Sequence, residues 1–165
     1  MKLKEYRKKR DFSATPEPSG RTRKNRARRR PIFVIQEHHA RRLHFDFRLE
    51  LKGVLKSWAI TREPLDQPQS RALAIETEDH PLEYASFHGT IPAGHYGAGK
   101  VKIWDHGVFE AEGDLARGIE GGKVVVILRG RRLHSRFALI RVRGEGTRSQ
   151  WLFFKTKPKI VGLRI

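Results

Sequence analysis

Residues 43–51 constrain the fold of this chain most, because apolar and polar side chains alternate there without exception. Leucine and phenylalanine occupy the odd positions, whereas His44, Asp46, Arg48 and Glu50 occupy the even ones. A period of two is typical of a β-strand with one face against a core, and it places the even residues on the opposite face at intervals of roughly 7 Å. The sequence therefore predicts a strand whose polar face carries an imidazole, a carboxylate and a guanidinium in a row.

The polar face of this predicted strand has the residue types of a metal and phosphate site. His38 lies one short connection upstream and could reach the same surface. Two histidines and an aspartate suit a divalent transition metal with open coordination positions, and an arginine beside them suits a phosphate or a carboxylate. The spacing alone leaves open the alternative of a solvated strand face with surface histidines.

The charge of the chain indicates a polyanionic partner. Its 165 residues carry 35 Lys and Arg against 18 Asp and Glu, a formal net charge of +17, and such a surplus favours nucleic acid through counterion release. A generally basic proteome or a membrane-surface protein would also be basic, but no basic amphipathic helix supports the latter.

The absence of cysteine excludes disulfides, thiolate ligands and a cysteine nucleophile. With no secretory signal and no apolar run of ~18–20 residues, a cytoplasmic protein is expected.

Two regions differ in composition. Residues 1–30 hold 13 basic and three acidic residues with little apolar content, which predicts a basic, partly flexible N-terminal arm that Phe12 could anchor. In 31–165, short β-rich runs and turn signals favour a compact antiparallel β-barrel, or a sandwich, with short flanking helices. A helix is predicted at 114–120. The predicted strands are 32–36, 43–51, 56–60, 72–77, 101–104, 108–110, 124–128, 137–143 and 151–155.

A second short helix is predicted at 79–87, with Asp79 as its N-cap. Residues four apart share a helix face, so His80 and Tyr84 would lie together. The amides of the helix N-terminus could bind a phosphate, and the Glu78 carboxylate could orient a histidine. Alternatively, Tyr84 packs on the barrel and His80 is incidental.

The glycine-rich segment 92–100 ends in Gly-Lys but is not a phosphate-binding P-loop. Val101 stands where that motif requires serine or threonine. A tight loop packed against the barrel is predicted instead, with His95 and Tyr96 as candidate substrate contacts.

Together these residues resemble the 3′-phosphoesterase domain of bacterial DNA ligase D. The likeness begins at 6–12 and 15–18, fades after 110, and resumes at 133–141 and 151–155. Its central motifs are Gln36-x-His38-x5-His44-x-Asp46-x-Arg48-Leu49-Glu50, Leu55-Lys56-Ser57-Trp58-Ala59, Glu78-Asp79-His80-Pro81-Leu82-x-Tyr84-Ala85 and Gly89-Thr90-Ile91-Pro92-x-Gly94-His95-Tyr96-Gly97-x-Gly99. No ligase or polymerase module accompanies them, so a free-standing member of the family is expected.

The resemblance implies a mostly antiparallel β-barrel and a two-step activity on 3′ ends. Family members remove a 3′-terminal ribonucleoside in a phosphodiesterase step that leaves a 3′-phosphate. A phosphomonoesterase step then leaves a 3′-hydroxyl. The metal is typically Mn²⁺, with another divalent transition metal as the alternative. The implied partners are 3′ ends of DNA or DNA/RNA primer–templates, a separate ligase, a polymerase and a Ku-type end-binding protein. A monomer without membrane association is expected.

The resemblance also implies site residues. His38, His44 and Asp46 match the metal ligands. Arg48, His80 and Tyr84 match the residues that engage and activate the phosphate. The residue that protonates the leaving group is left open, with His80 favoured. The implied substrate-binding residues are Arg10, Asp11, Glu17, Gln36, Arg48, Arg62 and Glu78. The first three belong to an N-terminal segment needed chiefly for the diesterase step, and Arg62 stands where a lysine is common.

Two rival functions stay open at this point. One is a non-catalytic nucleic-acid-binding barrel that recruits repair factors through its basic arm. The other is a metal-dependent nuclease that cuts internally. The nucleophile, either water or the 2′-hydroxyl of the adjoining ribose, is also left open.

Overall fold

Strands dominate the computed structural model, which describes residues 3–20, 30–68 and 71–158. The strands are β1 (Ile32–His39), β2 (Leu43–Leu51), β3 (Val54–Ile60), β4 (Arg71–Pro81), β5 (Gly89–Ile91), β6 (Gly99–Ala111), β7 (Lys123–Arg129), β8 (Arg136–Arg143) and β9 (Gln150–Lys155). The helices are α1 (Lys4–Lys8), α2 (Leu115–Gly121) and a 3₁₀ helix (Leu82–Ser86). Among the helices of these residues, none has the length and apolarity needed to cross a membrane.

The strands close into an antiparallel barrel. The hydrogen-bonded order is β1-β2-β3-β4-β9-β8-β7-β6, and β6 pairs back onto β1 to complete an eight-stranded ring. The short strand β5 pairs with the beginning of β6. Closure leaves no free sheet edge in the ring, which is how small all-β domains avoid edge-to-edge association. The predicted mostly β class and barrel architecture are confirmed.

The interior of the barrel is apolar, and alternate residues of its strands supply it. On β2, Phe45, Phe47 and Leu49 point into this core and are 0–4% exposed. Trp58 of β3 and Trp151 of β9 meet there edge to face, with ring centroids 5.7 Å apart. Because successive strand residues point to opposite sides, the intervening polar residues of β1 and β2 lie on the outer face of the barrel.

A second, smaller core covers part of that outer face. It joins the N-terminal arm to the barrel and consists of Tyr6, Leu55, Tyr84, Phe87, Ile91 and Val101. Tyr6 of α1 is fully buried, and its hydroxyl donates a hydrogen bond to the carbonyl of Pro18. Residues 3–20 of the predicted arm are therefore packed on the barrel, with Phe12 against Tyr6 at 5.8 Å between ring centroids. The basic run 21–29 lies outside the described residues, and the predicted domain boundary at 30 stays a prediction.

The helix predicted at 79–87 is wrong in its start and its type. Strand β4 continues through Pro81, since His80 pairs with Leu55 and Pro81 pairs with Val54 on β3. Asp79 caps nothing and instead forms an ion pair with Lys56 at 2.7 Å. Only the single 3₁₀ turn Leu82–Ser86 follows. Strand pairing outweighs the local capping signal, so no helix begins at Asp79 to offer its amides to a phosphate.

Two predicted strand boundaries also differ. Strand β1 extends to His39, so His38 lies on a strand directly opposite His44 rather than in a connection. The two strands predicted at 101–104 and 108–110 are one continuous strand, β6. Asp105 is buried there and accepts backbone hydrogen bonds from Arg131 and Leu133 at 2.9 Å each, which fixes the β7–β8 connection. The predicted helix at 114–120 is confirmed as α2, with Asp114 capping the amide of Arg117.

Candidate metal and phosphate site

Cross-strand pairing on the outer face of β1 and β2 assembles the candidate site. His38 lies opposite His44, and Gln36 lies opposite Asp46. The antiparallel register therefore brings the first histidine beside the polar residues of β2. Unlike an ordinary solvated face, this one is covered: His38 and Asp46 are each 7% exposed, and Arg48 is 3% exposed.

His38, His44 and Asp46 form a compact group of three possible metal ligands. One nitrogen or oxygen from each lies within 4.8 Å of the others. Nδ1 of His38 is 3.3 Å from Oδ2 of Asp46, and Nε2 of His44 is 3.3 Å from Oδ1 of the same carboxylate. The two imidazole rings are 4.6 Å apart. The structure thus brings together the three residues predicted as ligands.

The hydrogen bonds of the two histidines turn one ring nitrogen of each toward the carboxylate. Nε2 of His38 is 2.6 Å from the carbonyl of Gly97, and Nδ1 of His44 is 3.0 Å from the carbonyl of Arg42. A carbonyl only accepts, so each of these nitrogens is a donor, and the other nitrogen of each ring faces Asp46. Two imidazole nitrogens and a carboxylate converging on one point suit a cation. This donor set fits a divalent metal.

The electrostatics keep the aspartate ionised. Although burial alone favours the neutral acid, Arg48 and the two histidines hold the pKa of Asp46 well below its usual range. Burial opposes charge on His44 as well, but the hydrogen bond and charge of Asp46 raise the pKa of this imidazole above its ordinary value. A metal ion would compete with the proton that Asp46 favours on His44, because a ligating imidazole must be unprotonated.

Arg48 is held in place on three sides. Nε donates to Oε1 of Gln36 at 2.7 Å and Nη1 donates to Oγ of Ser57 at 2.9 Å, while Nη2 lies 3.5 Å from Oδ2 of Asp46. Its guanidinium also stacks on the Tyr84 ring at 4.8 Å. Five N–H donors on a guanidinium leave some free after these contacts. The arrangement suits a phosphate oxygen placed beside the metal ligands.

Gln36 lies behind the arginine. It is fully buried, and its amide nitrogen donates to the carbonyls of Tyr84 at 2.7 Å and Phe87 at 3.0 Å. Since its oxygen accepts from Arg48, the whole amide is occupied by protein partners. Gln36 was predicted to bind substrate; in this structure it positions Arg48.

His80 stands at the end of β4, enclosed by the rings of Tyr6 and Tyr84 at 4.9 and 4.7 Å. Its Nδ1 donates to the backbone carbonyl of Glu78 at 2.9 Å, which leaves Nε2 as an acceptor 3.5 Å from Nη2 of Arg10. Burial, followed by the charges of Arg48 and Arg10, lowers the pKa of His80 well below its ordinary value. The ring is therefore neutral, which disfavours the predicted role of His80 as proton donor.

The backbone of Glu78, not its carboxylate, orients His80. The carboxylate instead binds the arm, accepting a hydrogen bond from Lys9 at 2.9 Å and lying 3.7 Å from Arg10. Glu78 is 5% exposed. The expectation that this carboxylate orients a histidine is wrong for His80.

Glu17 links the arm to the barrel. Its carboxylate accepts hydrogen bonds from Arg10 at 2.9 Å, from Thr15 at 2.9 Å and from the Tyr84 hydroxyl at 2.7 Å, all in a buried setting. Burial, partly offset by Arg48, raises the pKa of Tyr84 far above its ordinary value, so the phenol stays protonated. Arg10, Glu17 and Tyr84 therefore form one network next to His80.

Two predicted residues lie at the edge of this assembly. Asp11 is exposed, and its carboxylate accepts hydrogen bonds from the amide and hydroxyl of Ser13, which lower its pKa. Arg62 is exposed in the loop after β3, two residues beyond Ile60, the partner of Phe45. Neither contacts the metal ligands in the hydrogen bonds and ion pairs of the described residues, and their roles in substrate binding stay predictions.

Three further residues support the candidate site, and their roles were not predicted from the sequence. Ser57 anchors Arg48, the Gly97 carbonyl fixes the His38 tautomer, and Lys9 ties the arm to Glu78. Ser57 and Gly97 stand inside motifs that were recognised, but their residue types carry no chemical signal by themselves. Their partners are 9 and 59 residues away in sequence.

A closed β-barrel that bears a two-histidine, one-aspartate group beside a buried arginine defines a candidate site for phosphoester chemistry. Residues 36–141 match the sequence profile of the family described as the DNA Ligase D 3′-phosphoesterase domain. The chain belongs to this family, and the family's description as a phosphoesterase domain indicates a hydrolase acting on ester bonds.

Two curated relatives extend the match to nearly the whole chain. The chain is 48% identical over 155 residues to the multifunctional non-homologous end joining protein LigD of Pseudomonas aeruginosa, covering 94% of this chain and 18% of the relative. It is 50% identical over 156 residues to the corresponding DNA repair protein of Mycobacterium tuberculosis, covering 94% of this chain and 20% of the relative. The chain thus spans about a fifth of the length of these relatives.

Proposed function

We propose that this protein repairs the 3′ ends of DNA in two hydrolytic steps that depend on Mn²⁺. The first step removes a 3′-terminal ribonucleoside, and the second removes the phosphate that remains. The observation that carries the proposal is the shared carboxylate of Asp46. It lies 3.3 Å from a nitrogen of each histidine and 3.5 Å from Arg48, so that a metal site and a phosphate-binding group adjoin.

The chemistry of the two steps balances with one water each. In the first, the bond between phosphorus and the 5′-oxygen of the terminal nucleoside breaks, and a free nucleoside and a 3′-phosphate end result. In the second, the bond between phosphorus and the 3′-oxygen breaks, which releases inorganic phosphate and leaves a 3′-hydroxyl. Both steps concentrate negative charge on the non-bridging oxygens of the phosphate in the transition state.

Different residues bind the metal ion and the phosphate. His38, His44 and Asp46 would hold the ion, which supplies Lewis-acid polarisation of a phosphate oxygen when bound. Arg48 donates hydrogen bonds to the same phosphate and is kept ready by Gln36 and Ser57.

The protonation states of His80 and Tyr84 limit what each can do. His80 is neutral, so its Nε2 accepts a proton or a hydrogen bond before it can donate one. Tyr84 remains a phenol whose proton is held by Glu17.

A labelled primer–template with one terminal ribonucleotide tests this function. With Mn²⁺ present, the wild-type protein should first shorten the primer by one nucleoside and then convert the 3′-phosphate end to a 3′-hydroxyl. Chelator should stop both steps. The His44→Ala variant, which lacks a ligand, should lose at least ~10³-fold in rate for both.

The same assay separates the rival functions. A primer that stays intact although it binds the protein would indicate a binding module that recruits repair factors. Fragments from within a primer whose 3′ end is blocked would indicate an internally cutting nuclease. The names of the relatives, non-homologous end joining proteins, favour end processing. On the same ground we propose a ligase, a polymerase and an end-binding protein of the Ku type as partners, and the cytoplasm as the place of action.

A further inference from the structure

We propose that Tyr96 is a stacking surface for the base of the terminal ribonucleoside, so that it assists the first hydrolytic step and not the second. This inference rests on the proposed function, because it assigns a nucleobase subsite to the same 3′-end pocket.

Tyr96 is exposed on a loop that contacts a candidate metal ligand. Its side chain is 47% exposed, and it is the one aromatic residue among the large apolar side chains that the described residues expose. The next residue, Gly97, accepts the hydrogen bond of the candidate ligand His38 at 2.6 Å. The loop that carries this exposed ring therefore contacts a candidate metal ligand.

Two cations of the N-terminal arm contact the Tyr96 ring. Nζ of Lys9 lies 4.7 Å from the centroid of the Tyr96 ring, and the guanidinium carbon of Arg10 lies 5.3 Å from it. Lys9 is itself fixed by Glu78, and Arg10 is fixed by Glu17. Contacts of this kind are attractive because a cation meets the negative face of the ring.

Hydrogen-bonded turns fix the loop that carries the Tyr96 ring. The amide of His95 donates to the carbonyl of Pro92 at 3.3 Å, and the amide of Ala98 donates to the carbonyl of His95 at 3.0 Å. An aromatic side chain held by such a loop loses little conformational freedom when a ligand arrives. Stacking on an aromatic ring is tolerant of base identity, because every base presents a π face.

The two steps differ in what such a surface can contact. The substrate of the first step ends in a nucleoside that leaves with its base attached. The substrate of the second step ends in a bare phosphate. A stacking residue therefore discriminates between them, whereas a residue that serves the metal or the phosphate affects both.

The test compares Tyr96→Ala with Tyr96→Phe on three primers: one with a terminal ribonucleotide, one with a terminal ribose that lacks its base, and one with a 3′-phosphate. Tyr96→Ala should lose roughly 5- to 150-fold in kcat/KM on the first primer only, the range expected for one lost stacked base. Tyr96→Phe keeps the ring and should retain most of the activity. Equal loss on all three primers, or no loss on the first, would overturn the proposal.

A binding measurement makes the test independent of catalysis. A primer that ends in a 2-aminopurine ribonucleotide loses fluorescence when its terminal base stacks on an aromatic ring. In chelator, wild type and Tyr96→Phe should quench this signal, whereas Tyr96→Ala should not. If no primer is hydrolysed but quenching depends on Tyr96, the proposed hydrolytic function fails and the stacking surface stands. If quenching is the same in Tyr96→Ala, the stacking surface fails.

Discussion

The Tyr84 hydroxyl donates a 2.7 Å hydrogen bond to the carboxylate of Glu17, and this contact spans 67 residues of sequence. It joins the 3₁₀ helix behind the candidate site to the N-terminal arm. Arg10 binds the same carboxylate at 2.9 Å and also approaches His80. Arg10 and Glu17 of the N-terminal arm therefore pack against the candidate site, although the composition of the arm resembles that of a tail.

Replacing Glu17 with alanine should weaken both the fold and the first hydrolytic step. The change leaves the buried Arg10 without its closest anion and the Tyr84 hydroxyl without an acceptor. Breaking a buried ion pair in this way costs about 3–5 kcal/mol of unfolding free energy, measurable by urea denaturation. At a temperature where the variant is folded, the diesterase rate should fall more than the monoesterase rate.

The conservative variant Glu17→Gln provides the control for this prediction. Its amide keeps an acceptor for Tyr84 and has the same size, so it should retain more stability than alanine. Equal loss of the diesterase and monoesterase steps in Glu17→Ala would argue against a special role of the arm in the first step.

Replacing Gly97 with alanine should lower the affinity for the metal. Gly97 has a φ of +75°, and a Cβ there would lie 3.4 Å from Cε1 of His38. The substitution therefore strains the backbone that carries the carbonyl bound by His38, and it places a methyl group in contact with the ring. Loss of such a supporting contact lowers metal affinity by roughly 10- to 100-fold, which calorimetric titration with Mn²⁺ would measure.

Gly94→Ala is the matched control for Gly97→Ala. Gly94 has a similar φ of +87°, but a Cβ there meets nothing within 4 Å. It carries the same kind of backbone strain without touching His38, so its metal affinity should stay close to that of wild type. Equal losses in the two variants would mean that loop strain, not contact with the ligand, governs metal binding.

Ser57→Ala should impair both hydrolytic steps by loosening Arg48. The hydroxyl of Ser57 accepts from Nη1 of Arg48 at 2.9 Å in a buried environment. A hydrogen bond to a charged group contributes about 1.5–3 kcal/mol, so a loss of about tenfold or more in kcat/KM is expected. The same substitution at the exposed Ser86, which binds only the carbonyl of Glu83 among the contacts of the described residues, should have little effect. Unchanged kinetics in Ser57→Ala would show that Arg48 needs no such support.

His80 should make the folded protein sensitive to acid. Its pKa in the folded state lies well below the ordinary value of 6.5 because of burial, Arg48 and Arg10. Below about pH 6.5 the unfolded chain binds a proton that the folded chain does not, so the free energy of unfolding falls as the pH falls. The slope approaches ~1.4 kcal/mol per pH unit for one proton.

The variant His80→Gln isolates this contribution. Urea denaturation of both proteins between about pH 7 and pH 5 should show a steeper loss of stability in the wild type. The opposite contribution of His44, whose pKa is raised, is present in both proteins and cancels in the difference. Parallel stability profiles would contradict the buried, neutral state of His80.

Much of the site could be predicted from residue spacing, because the ligand strand obeys a local rule. The alternation at 43–51 placed His44, Asp46 and Arg48 on one face, and the structure confirms that placement. The barrel class followed in the same way from short runs and turns. The connection between β2 and β3 is such a turn, and both of its residues, Lys52 and Gly53, have positive φ.

The predictions that failed depend on contacts between residues that are distant in sequence. The signal of Asp79 and Pro81 for a helix is real locally, but pairing of His80 and Pro81 with β3 outweighs it. Burial of the polar face could not be read from alternation either, because the arm that covers it begins some forty residues earlier with Tyr6 and Arg10. The roles of Ser57 and the Gly97 carbonyl arise only from folded geometry.

We propose that His38, His44 and Asp46 hold a single divalent metal ion. Titration of the wild-type protein with Mn²⁺, with free ion followed by electron paramagnetic resonance, measures this directly. The wild type should bind one ion per chain, and Asp46→Asn should lower that affinity at least ~100-fold. Glu145→Gln, which removes an exposed carboxylate elsewhere, should bind as the wild type does. Unchanged affinity in Asp46→Asn, or no bound ion in the wild type, would contradict the assignment.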